Sequence, residues 1–230
     1  SLRLYLTIGG LPYLSNLPLD RDIDFEYLRN VYSTIMLKDV VKRESIRNVD
    51  FLESLALYTA DNVGNLFSAN NISRYLKSQH VSISPLQVIN YLRALQNAYL
   101  INKVRRIDVN GLKTFEIGDK YYFEDLGLRN CHFGFNMQKD INKLMENAIY
   151  NELRYRGYSV DIGNVEINGV DEKGTKVRRM LEVDFVCNQG YKRCYIQSAL
   201  SLPDKEKTKQ ELASLLKIKD NFMKYVIVGT

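Results

Sequence analysis

A predicted helix followed by two predicted strands, in the last third of the chain, most constrains the fold. The helix-like run at 144–158 contains Glu146, and the strand-like run at 180–187 contains Asp184. A second strand-like run, at 194–200, contains Gln197. Successive strand residues point to opposite faces of a sheet, so Glu182 and Asp184 are expected on one face. The pattern predicts a sheet whose inner strands carry polar side chains beside a helical acid.

The rest of this region predicts a layered α/β fold. From residue 139 onward the order is one helix, four strands, a second helix and a closing strand. The predicted strands are 158–162, 165–170, 177–188, 192–200 and 224–228, and the second helix is 204–217. Such an order is typical of an α/β sandwich (α+β overall) in which helices cover a mixed sheet.

The middle of the chain has the signals of three helices and a hairpin. Asp50, Ser68 and Ser84 are candidate helix caps, and Pro85 lies at the first position of the third helix, where its missing N–H is tolerated. The dipeptide Asn110-Gly111 separates two strand-like runs, 100–109 and 113–117, and predicts a β-hairpin. The order of three helices and a hairpin predicts a winged helix-turn-helix domain.

These patterns divide the chain into three predicted parts. Residues 1–47 are a helical connector with Leu28, Val31, Ile35 and Val40 at helical spacing, 48–138 form the winged helix, and 139–230 form the α/β domain. The chain begins at Ser1 within a helix-like run. We therefore expect it to be the C-terminal part of a longer protein.

Composition sets broad limits on function. The net charge of +5 permits a nucleic-acid partner without requiring one. No apolar run approaches the roughly 20 residues of a membrane span, so no membrane partner is expected. The three cysteines (Cys131, Cys187 and Cys194) lack metal-ligand spacing and are expected to be reduced thiols of a cytoplasmic protein.

The acids of the last third resemble an altered nuclease centre. In restriction-endonuclease-like nucleases a helical acid, a strand acid and an acid-x-Lys pair on a second strand hold the metal. Glu146 and Asp184 resemble the first two, whereas an amide, Gln197, replaces the second carboxylate and Ala199 replaces the lysine. The resemblance implies convergence of Glu146, Asp184 and Gln197 in a degenerate active site. It leaves Glu146 and Asp184 as candidate ligands of Mg²⁺.

Nearly the whole chain also resembles the C-terminal region of a bacterial and archaeal family of AAA-type ATPases. The resemblance rests on several motifs together. They are Ile8-Gly-Gly-Leu-Pro12, the stretches 37–43, 120–130 and 145–153, Glu182-Val-Asp-Phe185 and Ile196-Gln197. It implies an ATPase module upstream that binds ATP and Mg²⁺, with a winged helix and a nuclease-like domain in this chain. The family often keeps Gln at the position of Gln197. No phosphate-binding loop occurs in these residues, so no nucleotide cofactor is expected in this part.

The predicted winged helix supplies candidate nucleic-acid contacts of two kinds. The third helix presents Gln87, Asn90 and Arg93, and Gln and Asn can read adenine edges. The predicted wing is more basic, with a net charge of +3 over 99–113 from Lys103, Arg105, Arg106 and Lys113 against one acid. Such residues suit DNA phosphates, but winged helices also dock proteins. Both partners remain open.

A third group of candidates concerns the expected ATPase module. Lys42 or Arg43 could reach the ATP of a neighbouring module, as an arginine finger does. The alternative is an ordinary ion pair between Asp39 and Arg43 on a solvated helix face.

Two functions follow from the sequence. The chain is a non-catalytic sensor or docking region for a nucleic acid or a protein, coupled to its own ATPase module. The alternative is a metal-dependent nuclease with a rearranged centre of Glu146, Asp184 and Gln197.

Overall fold

In a computed structural model, the chain divides into two units. The structure describes residues 1–18, 20–78, 80–111, 118–133, 137–170 and 176–229. The first unit comprises Ser1–Lys103 and Asp119–Ala148, and the second comprises Val104–Gly118 and Ile149–Thr230. These bounds differ from the predicted division at 47 and 138, which stays a prediction about domains.

The first unit begins with helices of different pitch. They are α1 (Leu2–Ile8), a 3₁₀ turn (Pro12–Asn16), α2 (Arg21–Thr34) and a π-helical continuation of α2 (Ile35–Lys42). The side chains buried along the last two are Leu28, Tyr32, Met36 and Val40. Val31 and Ile35, noted in the sequence for their helical spacing, also lie on these helices but are only half-buried. A π-helical turn contains more residues than an α-helical turn. The buried side chains of α2 and its continuation are accordingly spaced four residues apart.

Three further helices follow, α3 (Val49–Asp61), α4 (Ala69–Ser78) and α5 (Pro85–Asn97). The two helical neighbours predicted for α5 are confirmed, because α5 packs against both α3 and α4. The predicted cap Ser84 is also confirmed, since its hydroxyl accepts from Gln87 N while the Gln87 side chain accepts from Ser84 N. The cap of α3 is Asn48 rather than Asp50.

The predicted first strand of the hairpin is divided between two sheets. Strand β1 (Ile101–Val104) pairs with β3 (Lys120–Phe123) in a two-stranded sheet of the first unit. Strand β2 (Arg106–Asp108) instead belongs to the five-stranded sheet of the second unit. A single strand at 100–109 was therefore wrong, because the apolar alternation breaks between Val104 and Ile107. Its predicted partner, 113–117, lies outside the described residues.

The second unit is built on a mixed sheet, as predicted. Along the chain, helices α6 (Leu126–Phe133) and α7 (Met137–Tyr155) come first, and α6 belongs to the first unit. The strands that follow are β4 (Ser159–Val170), β5 (Lys176–Gln189), β6 (Lys192–Ala199) and β7 (Met223–Val228). Helix α8 (Lys205–Leu212) and a 3₁₀ turn (Leu215–Lys217) lie between β6 and β7. The strand order is β2-β4-β5-β6-β7. The pairs β2–β4 and β6–β7 are parallel and the other two are antiparallel, which confirms the mixed α/β class.

One irregularity lies in the centre of this sheet. The strands predicted at 158–162 and 165–170 are one strand, β4, because Gly163 and Asn164 pair with β5 instead of turning. The register passes from Gly163↔Val183 to Asp161↔Val186, so two residues of β5, Asp184 and Phe185, face one residue of β4. Such a bulge redirects side chains. Residues 183–187 are all buried, so this part of β5 does not alternate between a buried and an exposed face.

Two of the motifs noted in the sequence pack on each other in the first unit. The Asp125 carboxylate accepts from Gly10 N at 2.7 Å and from Leu128 N at 3.0 Å. Asn130 Nδ2 donates to the carbonyl oxygens of Leu6 and Thr7, each at 2.9 Å. These bonds fix the end of α1 against α6. No helix within the described ranges is both long and apolar enough to cross a membrane.

Candidate functional site

The structure brings Asp184 and Gln197 together at the centre of the second unit. Gln197 Nε2 donates to Asp184 Oδ1 at 3.3 Å, and Gln197 Oε1 accepts from Asp184 N at 3.4 Å. The other carboxylate oxygen, Oδ2, accepts from both N and Oγ of Ser198, each at 2.7 Å. Asp184 is 7% exposed. Both oxygens of this carboxylate are therefore held by donors from β6.

Glu146 lies on a helix, α7, as predicted, and this part of α7 belongs to the first unit. Glu146 has its own set of donors. Its Oε1 accepts from Lys120 Nζ at 3.1 Å and from the hydroxyl of Tyr122 at 2.6 Å. Both donors come from β3, and the Lys120 side chain is only 4% exposed. A buried ammonium group requires an anionic partner, so Glu146 neutralises Lys120. Its predicted convergence with Asp184 stays a prediction.

These contacts decide how well the predicted centre suits a divalent cation. Mg²⁺ prefers several oxygen ligands in octahedral geometry, and its carboxylate ligands need free lone pairs facing the ion. Here Ser198 and Gln197 donate hydrogen bonds to the Asp184 carboxylate, and Lys120 forms an ion pair with Glu146. Within the described part of the chain, no group of three or more His, Cys, Asp or Glu side chains is arranged to hold a metal. The donor set as bonded here does not fit a Mg²⁺ centre.

The residues of the predicted third helix that are candidates for contacts with DNA bases all lie on α5. Gln87 completes the capping box of the helix through its side-chain oxygen. Asn90 Oδ1 accepts from Arg93 Nη2 at 2.9 Å, one helical turn away. Gln87 and Arg93 are exposed and Asn90 is half-buried, so all three reach the surface of the first unit.

The cations of the predicted wing are mostly paired. Lys103 Nζ lies 2.7 Å from Asp119, and an Arg105 nitrogen lies 3.7 Å from Asp161. Burial raises the pKa of Asp161, although Arg105 and Arg193 oppose that shift. Arg106 Nη2 donates to Asn164 Oδ1 at 2.7 Å within the second unit. Lys113 lies outside the described residues. The predicted wing therefore presents less free positive charge than its sequence indicates.

Arg43, one of the two residues predicted to reach ATP, forms the ion pair with Asp39 that was the alternative. An Arg43 nitrogen lies 3.1 Å from Asp39 Oδ1, and the Arg43 side chain is 61% exposed. This is the i,i+4 ion pair expected of a solvated helix face. Lys42 lies at the end of the same π-helical segment.

Several residues of these sites were missed in the sequence. Lys120, Tyr122 and Ser198 hold the two predicted acids, yet none of them has a spacing that indicates such a role. Lys120 and Tyr122 alternate on β3, and the alternation shows only that they share a face. A further cation, Arg47, lies beside α5 across a cavity. Forty residues separate it from Gln87, so no local pattern could have linked them.

The fold and site define a protein class, and comparisons place the chain in a family. It is a mixed α/β protein in which Glu146 and Asp184 each accept internal hydrogen bonds. Residues 1–139 match the profile of the domain of unknown function DUF8612, and the chain belongs to that family.

Two relatives come from a bacterium and an archaeon. An uncharacterised protein of Haemophilus influenzae is 33% identical over 225 residues, which cover 98% of this chain and 52% of that protein. An uncharacterised protein of Methanocaldococcus jannaschii is 28% identical over 219 residues, which cover 95% of this chain and 46% of that protein. The chain thus spans about half the length of the curated relatives it matches. No solved structure matches it.

Proposed function

We propose that this chain is a non-catalytic binding region that recognises a nucleic-acid or protein partner and couples it to an ATPase module of a longer protein. The observation that carries the proposal is the state of Asp184, whose two carboxylate oxygens accept from Ser198 and Gln197. A nuclease would need those oxygens for a metal ion and a further group to activate water. Here they stabilise the pairing of β5 with β6 instead.

The coupling to an ATPase is proposed from the sequence resemblance and from chain length. The relatives are about twice as long as the matched region, which leaves room for a further module in them. In this proposal ATP and Mg²⁺ belong to that module. Lys42 and Arg43 are candidate contacts to its nucleotide, although Arg43 would first have to leave Asp39.

We also propose the cytoplasm as the place of action. Cys131, Cys187 and Cys194 are free thiols, and Cys187 lies directly opposite Cys194 across β5 and β6. Burial raises the pKa of the Cys131 thiol to about 12. An oxidising compartment favours disulfides between such close cysteines, whereas the cytoplasm keeps them reduced.

Cleavage and metal-binding assays test the non-catalytic assignment. The protein and its Asp184→Asn variant would be incubated with plasmid DNA, single-stranded DNA and RNA in Mg²⁺ or Mn²⁺. We expect no cleavage above a buffer control and no Mn²⁺ binding by calorimetry. Asp184→Asn keeps the side-chain size and one acceptor oxygen, so it serves as the matched control. Metal-dependent cleavage that Asp184→Asn abolishes would refute the proposal.

One observation favours the alternative, a metal-dependent nuclease. Asp184 and Gln197 lie side by side on adjacent strands, as the nuclease pattern predicts. A metal ion that displaced Ser198 from Asp184 would create such a centre. The same assays decide between the two functions.

A further inference from the structure

A polar cavity of about 360 Å³ lies in the first unit between the turn 44–47 and helix α5. Its walls carry two guanidinium groups, Arg47 and Arg93, and two side-chain amides, Gln87 and Asn90. Ligand sites commonly enclose about 300–1,000 Å³. The cavity is larger than a single phosphate group requires, and its volume suits a small organic ligand.

The two guanidinium groups distinguish this cavity from the other basic positions considered above. Among the described residues, neither Arg47 nor Arg93 has a carboxylate within ion-pair distance, whereas Lys103, Arg105 and Arg43 each have one. Arg93 donates only to the neutral Asn90 among the bonds described. A guanidinium group is planar and offers paired donors that match the oxygens of a phosphate. The described residues thus leave both guanidinium groups of the cavity without a carboxylate in direct contact.

The acidic residue at the cavity wall is Glu44, and among the described residues it forms no ion pair with Arg47 or Arg93. Glu44 Oε1 accepts from Asn97 Nδ2 at 2.9 Å, on the last turn of α5. Asn48 N donates to the hydroxyl of Tyr91 at 3.3 Å. Because these two bonds tie both sides of the turn to α5, the cavity walls are held in place before any ligand arrives. Such preorganisation lowers the entropy cost of binding.

The turn itself has a defined backbone. Ile46 N donates to Val41 O at 3.0 Å, the six-residue closure that commonly ends a helix. Ser45 has a φ of 53°, in the left-handed region. The closure ends the helical segment directly before Arg47, which lines the cavity together with Arg93.

We propose that this cavity binds a phosphate-bearing ligand of nucleotide size. Arg47 and Arg93 pair with the phosphate, and the amides of Gln87 and Asn90 lie where they can contact a base edge. The proposal rests on the proposed binding function and names the ligand chemistry and the site. The phosphate belongs either to a free nucleotide or to a nucleic-acid strand.

Calorimetry with defined probes tests the proposal. The probes are adenosine, guanosine, cytidine and uridine 5′-monophosphates, adenosine as the phosphate-free control, and a short single-stranded oligodeoxynucleotide without terminal phosphates. Arg93→Gln and Arg47→Gln should each weaken binding of the phosphate probes by about tenfold or more, the value of one charge-assisted hydrogen bond.

Arg74→Gln is the matched control for Arg93→Gln. Arg74 is an exposed arginine of α4 that donates to Asn71 three residues earlier, just as Arg93 donates to Asn90, but it does not line the cavity. It should leave binding unchanged. Circular dichroism melting checks that each variant folds. Arg47→Gln, in an exposed turn, carries the test if Arg93→Gln does not fold.

The outcomes answer two questions: whether the cavity binds a phosphate at all, and whether that phosphate belongs to a free nucleotide or to a strand. Arginine-dependent binding of the monophosphates identifies a free nucleotide, and arginine-dependent binding of the oligonucleotide alone identifies a strand; both support the site. The proposal is overturned if no phosphate probe binds, if adenosine binds as tightly as its monophosphate, or if the cavity arginines behave like Arg74. A failure here leaves the cleavage assays unaffected, because those assays concern Asp184.

Discussion

At the residue scale, motifs that resemble a family signature act here as structural contacts. Gly9 and Gly10 belong to the motif at the end of α1, and Asp125 belongs to a second motif beside α6. Burial raises the pKa of the Asp125 carboxyl, while the backbone N–H groups of Gly10, Leu128 and Gly127 oppose that shift. A carboxylate that receives several N–H groups in a buried place requires its neighbours to approach closely. The glycines allow that approach.

A substitution at Gly9 tests this contact. Gly9 has a φ of 74°, and a Cβ there would lie 2.2 Å from Asp125 Oδ1. Its ψ is −155°, and this combination of φ and ψ is essentially restricted to glycine, so we expect Gly9→Ala to lower the free energy of unfolding by about 1–3 kcal/mol for the backbone alone. The collision with Asp125 should add about 1–3 kcal/mol. Urea denaturation measures the sum.

Gly190→Ala is the control for Gly9→Ala. Gly190 also has a positive φ, of 58°, but a Cβ there meets no described atom within 4 Å. Gly190→Ala should show the cost of a positive φ without a collision. Equal losses in the two variants would mean that Asp125 moves aside at no cost, and that the motif does not lock α1 to α6.

At the scale of the element, a buried side chain links strand β6 to the loop before β7. Tyr195 on β6 is fully buried, and its hydroxyl donates to Asp220 in the loop before β7. Burial, with a further contribution from Asp220, raises the pKa of Tyr195 from 10.0 to about 12. The phenol therefore binds its proton more tightly in the folded chain than in the unfolded chain.

This difference predicts a pH dependence of stability. Between pH 10 and about 12 the unfolded chain releases the Tyr195 proton while the folded chain retains it. A group with a raised folded pKa contributes its full stability below its unfolded pKa, and loses it as pH rises through the folded pKa. We expect the free energy of unfolding to fall across this range, and to fall less steeply in Tyr195→Phe. Chemical denaturation at stepped pH measures both slopes. Identical slopes would show that Tyr195 titrates normally.

At the scale of the whole molecule, the pairing of charges matters more than their number. The chain has a net charge of +5, and its sequence concentrates cations at 103–106. In the structure Lys103 and Arg105 face Asp119 and Asp161, whereas Arg47 and Arg93 line a cavity and have no such partner among the described residues. A cation already paired with a carboxylate gains less from a phosphate. The sites of binding therefore need not coincide with the most basic segment.

Salt dependence of duplex DNA binding tests this point. If the protein binds duplex DNA, its affinity should fall with salt by a slope of about −0.9 per phosphate neutralised. The double variant Arg47→Gln/Arg93→Gln should flatten the slope by about two units, and Arg105→Gln should change it less. Fluorescence anisotropy over a salt series measures these slopes. A larger effect of Arg105→Gln would return the binding role to the predicted wing.

The sequence by itself determined the features that depend on local physics. The capping box at Ser84, the helix that carries Glu146 and the strands that carry Asp184 and Gln197 follow from neighbouring residues, and all are present. The mixed α/β class follows from the order of those elements. The register of β5 and β6 also places Asp184 beside Gln197, as the pattern predicted.

Only the tertiary structure decided what these residues contact. Two features depend on strand register, namely the change of sheet at Arg105 and the bulge at Asp184. Two others join residues that are distant along the chain: Glu146 pairs with Lys120, and Arg47 lies beside α5. Hydrophobic periodicity specifies which face of an element is buried, but it does not specify which partner a buried polar group meets. The availability of a carboxylate or a guanidinium group for a ligand is set by that partner, and so it could be read only from the folded chain.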